Sequence, residues 1–204
     1  VRNEATRLLI GIPGLSEEDQ RLLDANTGKF IAALMVSADM PMGQISLAAV
    51  YLGQGKPAKA EKAYRHALIL DSKAVGAWLN LADLYRSQRQ EGSALSTLSD
   101  AQVLLPDSAV VSYSLGLAQV RNHQWIKALA SLKDAVRLAP QDVRYSYAYA
   151  LMLNGQGAAV QALEVLKAAL VESPSNYDLL FVSVTINRDL GQLAIARSLA
   201  KRLV

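Results

Sequence analysis

Alanine and leucine recur along this chain on a lattice. Ala60, Ala94, Ala128, Ala162 and Ala196 stand 34 residues apart, and seven positions further on come Ala67, Ala101, Ala135 and Ala169. Other columns keep the same spacing: Leu47, Leu81 and Leu115; the small residues Ala48, Ala82, Gly116 and Ala150; Tyr51 and Tyr85; the bulky Tyr64, Leu98, Leu132 and Leu166. Pro106, Pro140 and Pro174 punctuate the lattice in register. A fixed period of this kind marks a repeat architecture, in which each unit covers its apolar face with the next.

The order aromatic, Leu, small, Tyr, Ala, bulky, Ala, Pro resembles the tetratricopeptide repeat family. Val75 to Ser108 fills every signature position, with Trp78, Leu81, Ala82, Tyr85, Ala94, Leu98, Ala101 and Pro106. The resemblance implies an all-α fold, an α-α superhelix of stacked antiparallel helix pairs. Units are expected at 41–74, 75–108, 109–142 and 143–176, with a partial unit at 177–204. The pattern weakens towards the end: Gln119, Leu153 and Asn187 stand where Tyr51 and Tyr85 stood, and Ser183 replaces the expected Leu. In such pairs the small residues let helices approach, the bulky ones fill the remaining space, and each Pro stops a second helix. Asp107, Ser108, Asp142, Ser175 or Asn176 can then cap the next.

Upstream, Ser16 followed by Glu17, Glu18 and Asp19 predicts a helix start, since a hydroxyl cap and early acids suit the positive end of the helix dipole. The helix is expected over Glu17 to Ala38, as an N-terminal capping helix within residues 13–40. Residues 1–12 read as the end of a preceding HEAT-like helical segment, closed by Gly11-Ile12-Pro13-Gly14. That segment, with Asn80 to Arg86 and Arg144 to Ala150, resembles the C-terminal part of bacterial multihaem cytochrome c proteins that carry HEAT and tetratricopeptide repeats. This second likeness implies a longer, exported parent and a periplasmic location; without it the expectation is cytoplasmic.

Composition narrows the chemistry. Of 204 residues, 51% are hydrophobic, and 21 basic side chains nearly balance 18 acidic ones, which excludes a disordered chain and gives no clustered charge for nucleic acid. The chain contains no cysteine, hence no disulfide, thiolate metal site or covalently attached haem, and no metal or cofactor is expected. No run approaches a membrane span.

Three apparent motifs are decoys. Gly53-Gln54-Gly55-Lys56-Pro57-Ala58 has the spacing of a dinucleotide loop, but it follows a helical stretch and is echoed at Gly155-Gln156-Gly157, so it reads as the turn inside a helix pair. His66 and His123 lack metal-ligand or catalytic companions, and His123 occupies the turn position held elsewhere by Gly55, Gly157 and Gly191. The acids at Glu17 to Asp19 are adjacent on a helix and point apart. No catalytic residues are expected, and the chain reads as non-enzymatic.

In the resembled family, partners lie in a concave groove lined by the first helix of each unit. Carried over, this implies a groove formed by Asp83, Arg86, Tyr113, Leu117, Arg121, Arg144, Tyr147, Leu151, Asn154, Phe181 and Arg188. Tyr113, Tyr147 and Phe181 would either form a ladder of rings flanked by arginines, the composition of interface hot spots, or pack between neighbouring units away from any ligand. The expected partner is a protein or peptide segment with apolar anchors and some acidic groups. A competing expectation is a structural role through self-association, in which an uncapped last helix exposes Leu193, Leu199, Leu203 and Val204.

Overall fold

The local rules for helix starts and stops act 34 residues apart, and they set the architecture. The computed structural model describes residue 14 and residues 16–203; the expected segment 1–12 and Val204 lie outside them. Eleven helices follow one another, with no strand among the described residues. In a first compact unit ending at Leu105 these are α1 (Glu17–Met35), α2 (Pro41–Gly53), α3 (Pro57–Leu70), α4 (Val75–Ser87) and α5 (Glu91–Leu104). A second unit, starting at Pro106, holds α6 (Ala109–Arg121), α7 (Trp125–Leu138), α8 (Val143–Gly155), α9 (Ala159–Glu172), α10 (Tyr177–Asp189) and α11 (Leu193–Ala200).

Ser16 caps α1 as expected: its Oγ accepts the Asp19 N–H at 3.1 Å. The helix stops at Met35, three residues short of the expected Ala38. Tighter bonds take over there, with Ser37 N–H reaching Leu34 O at 3.1 Å and the Ser37 hydroxyl donating to the same carbonyl at 3.1 Å. Pro41 and Pro57 open α2 and α3 at positions where a missing N–H costs nothing. Asp142 and Asn176 cap α8 and α10 with their side chains, whereas Ser108 makes no such bond ahead of α6.

Every pair turns in the same way. Gly55, Arg89, His123, Gly157 and Gly191 all adopt positive φ, between 57° and 81°. The next residue reaches back five positions: Lys56 N–H to Tyr51 O at 2.8 Å, Gln124 N–H to Gln119 O at 2.8 Å. This is the helix-ending motif that satisfies orphan carbonyls and favours glycine. The Gly53-to-Ala58 stretch therefore joins two helices and offers no strand-to-helix phosphate loop.

Packing follows the lattice. In the first unit α2 pairs with α3 and α4 with α5; in the second α6 pairs with α7, α8 with α9 and α10 with α11. The alanine columns sit at the closest approaches, with Ala60, Ala67, Ala101, Ala128, Ala135 and Ala162 all 0% exposed. Gly116 belongs to the small column for a specific reason: a Cβ there would lie 2.8 Å from Leu132 Cγ and 3.3 Å from its backbone nitrogen.

Gln119 breaks the apolar pattern. It is buried where Tyr85 and Leu153 stand in other units, and its Oε1 has no hydrogen-bond partner. Gln119→Leu is expected to raise the unfolding free energy by about 1 kcal/mol by removing an unsatisfied acceptor. A higher urea midpoint with an unchanged slope would show it.

Candidate functional site

The first helices of the second unit present the predicted groove residues on equivalent turns. Tyr113 and Leu117 lie four residues apart on α6, Tyr147 and Leu151 on α8, and Phe181 and Thr185 on α10, so each pair shares one helix face. α8 and α10 touch directly, and a Tyr113–Tyr145 ring contact, with centroids 4.8 Å apart, joins α6 to α8. Leu151 is 42% and Phe181 52% exposed. Tyr113, Leu117, Tyr147 and Asn154 are half-buried, and Arg121, Arg144 and Arg188 are exposed.

Each ring of the expected ladder has a local packing partner. Tyr113 turns onto the buried Tyr145, and Tyr147 packs against the core around Leu166, Leu179 and Ile186. Phe181 stacks instead on Tyr177 at 6.1 Å, with planes 12° apart, and Tyr177 is 61% exposed. Tyr177 is not among the groove residues that the repeat pattern predicts, although its spacing to Phe181 places the two on one face. The open apolar surface is thus Leu151, Phe181 and Tyr177, while Tyr113 and Tyr147 are half-buried.

The arginines are engaged at home. Arg144 grips Asp142 through two bonds, Nε to Oδ1 at 2.9 Å and NH2 to Oδ2 at 2.6 Å, and its guanidinium lies 5.7 Å from the centre of the Tyr145 ring. The Arg144 bond holds the Asp142 carboxyl below its ordinary range, and Asp142 pushes the guanidinium up in turn. Arg188 pairs with Asp189 at 2.8 Å. In the first unit, Asp83 and Arg86 are exposed on α4 and pair with each other at 3.1 Å. The expected appeal to acidic partners is weakened accordingly, because each of these arginines already faces a carboxylate.

The self-association residues divide. Leu193 is 54% exposed, while Leu199 and Leu203 are half-buried. The last helix ends at Ala200. Among the described residues no three His, Asp or Glu side chains gather as a metal site, and no helix is long and apolar enough to cross a membrane. His66 is exposed on α3, and His123 packs edge-on to Trp125 at 5.2 Å.

Comparison with known proteins agrees with the repeat fold. The family model of the tetratricopeptide repeat matches residues 45–109 and 113–177. No curated protein matches the sequence. Among solved structures, MamA is similar at 21% identity and TM-score 0.67 over 76% of this chain and 91% of its own. YrrB, described as a TPR protein with an unusual peptide-binding site, is similar at 20% identity and TM-score 0.64 over 84% of this chain and 88% of its own. The pilF protein of Pseudomonas aeruginosa matches at 20% identity and TM-score 0.67 over 99% of this chain and 90% of its own. At these identities the likeness shows the fold. The family match falls on the repeats and lends no support to a multihaem cytochrome parent.

Proposed function

Because the chain belongs to the tetratricopeptide repeat family, we propose that it is a non-enzymatic scaffold whose second unit docks a partner segment against the first helices α6, α8 and α10. The observation that carries this reading is the exposed apolar surface of Leu151, Phe181 and Tyr177 on one face of adjacent helices. Large rings held open to solvent contribute most when a partner desolvates them. Tyr147, packed on the buried cluster of the same unit, helps hold α8 in place, which lowers the ordering cost of binding. Arg144 and Arg188, already neutralised by aspartates, leave apolar anchors as the chief recognition element.

Peptides selected from a random display library on the immobilised chain test the reading. They should carry aromatic or aliphatic anchors. Phe181→Asp and Leu151→Asp, both at exposed positions, should weaken them by about tenfold or more, roughly 1.4 kcal/mol each. Circular dichroism should be unchanged. Selected peptides that bind both variants as tightly as the parent would remove this face from the account.

A further inference from the structure

A second kind of concavity recurs on the chain, between successive second helices and over the first helix that joins them. Leu81 and Tyr85 floor one such cavity of about 650 Å³ between α3 and α5, and Leu47 and Tyr51 floor another of about 420 Å³ between α1 and α3. The same repeat positions, Ser183 and Asn187, floor a third of about 510 Å³ between α9 and α11. Both cavities of the first unit remain open although further helices follow them in the chain, so the concavity belongs to the repeat geometry and not to its position near the last helix.

Their chemistries differ. In the 650 Å³ cavity the charges cancel: Arg65 holds Glu61 at 2.9 Å and the Tyr85 hydroxyl at 2.6 Å, and Asp100 also lines the space. The Tyr85 hydroxyl, itself bonded to Glu61, and Arg65 together keep that carboxyl below its ordinary range. In the 420 Å³ cavity the Lys59 ammonium lies 5.7 Å from the centre of the Tyr51 ring. The third cavity is walled by Leu163, Leu170, Val171, Ile195 and Leu199. Its charged lining groups are both cations, Lys167 and Arg202, with no carboxylate among the lining side chains. Arg202 is pinned by a 2.6 Å bond to Pro174 O, and Lys167 makes no ion pair among the described residues.

The floor is polar and fixed. Ser183 and Asn187 are each 3% exposed. Ser183 Oγ donates to Leu179 O at 2.7 Å and Asn187 Nδ2 donates to Ser183 O at 2.7 Å, which leaves the Asn187 Oδ1 without a donor among the described residues. Apolar walls, a few fixed polar groups and a volume within the roughly 300–1,000 Å³ of small-ligand sites define a receptor for a small amphipathic molecule. The uncompensated cations select its charge.

We propose that the cavity between α9 and α11 binds a small aliphatic monocarboxylate, its chain against the leucine and isoleucine walls and its carboxylate between Lys167 and Arg202. The site is separate from the partner-docking face and does not depend on it. Each methylene removed from water contributes about 0.8 kcal/mol, so a medium-length chain suffices for measurable binding.

Titration calorimetry with monomeric decanoate tests this on the full chain. Saturable binding of one molecule is expected. Decanol and decyltrimethylammonium should bind about tenfold more weakly or worse. Ser183→Leu, which restores the residue held by Leu81 and Leu115 and adds bulk to the floor, should weaken binding by about threefold or more while leaving the thermal midpoint unchanged or raised. Lys167→Glu, a surface change that keeps the test valid if the first variant misfolds, should weaken binding by about tenfold. No binding, equal binding of decanol, or unchanged affinity in Lys167→Glu or in folded Ser183→Leu would overturn the proposal. So would capture of a peptide ending in leucine where decanoate fails.

Discussion

Leu166→Ala should lower the unfolding free energy by about 3–4 kcal/mol, the upper part of the range for truncating a leucine where the surroundings cannot collapse. Leu166 is 0% exposed and packs in one cluster with Ala150, Ala162, Leu179 and Ile186. Its neighbours in that cluster include alanines at closest helix approach, which cannot lengthen to fill the void, and Leu179 and Ile186 are themselves fully committed. The loss falls within the second unit, so a urea titration followed by Trp125, that unit's tryptophan, should show a lowered midpoint. The signal of Trp78 in the first unit should move less, since repeat arrays couple mainly through nearest neighbours. A midpoint shift worth under about 1 kcal/mol would mean that the cluster relaxes around the cavity.

Gly43→Ala should cost about 3 kcal/mol, against the gain of about 1 kcal/mol that alanine ordinarily brings to a helix. Gly43 is buried in the first turn of α2, and a Cβ added there would overlap the carbonyl oxygen of Ser37 and lie 2.7 Å from its carbonyl carbon. That carbonyl is backbone, fixed by the Met40 N–H at 3.0 Å within the turn that joins α1 to α2. No rotamer change relieves the clash; α1 has to shift away from α2. Hydrogen exchange should therefore quicken along α1 while protection in α4 and α5 persists. Uniform protection would show that the turn rebuilds at little cost.

The fold was legible because its determinants are small and local. A 34-residue spacing of alanines survives any choice of rotamer, and the glycines of other units mark His123 as a turn residue, whose left-handed backbone emerges in the structure. The groove was less legible. Tyr113 and Tyr145 stand on different helices and their rings meet only once α6 and α8 have approached, and nothing in the spacing says whether a ring faces a partner or its neighbour. Asp142 was read as a helix cap; that the same carboxylate also clamps Arg144 depends on one side chain folding back over two residues. The cavity over Ser183 and Asn187 lay hidden in departures from the repeat, which read as weakness of the pattern when they also change the chemistry of a surface.

The pairing of Arg144 with Asp142 and of Arg188 with Asp189 reaches into kinetics. Long-range attraction speeds encounter only through charge that is left uncompensated. A partner approaching α8 and α10 meets ion pairs whose fields largely cancel beyond a few ångströms, so it arrives at an ordinary diffusive rate that changes little between dilute buffer and physiological salt. Discrimination among partners then resides in how long each stays, a residence time set by how fully its apolar side chains cover Phe181 and Tyr177.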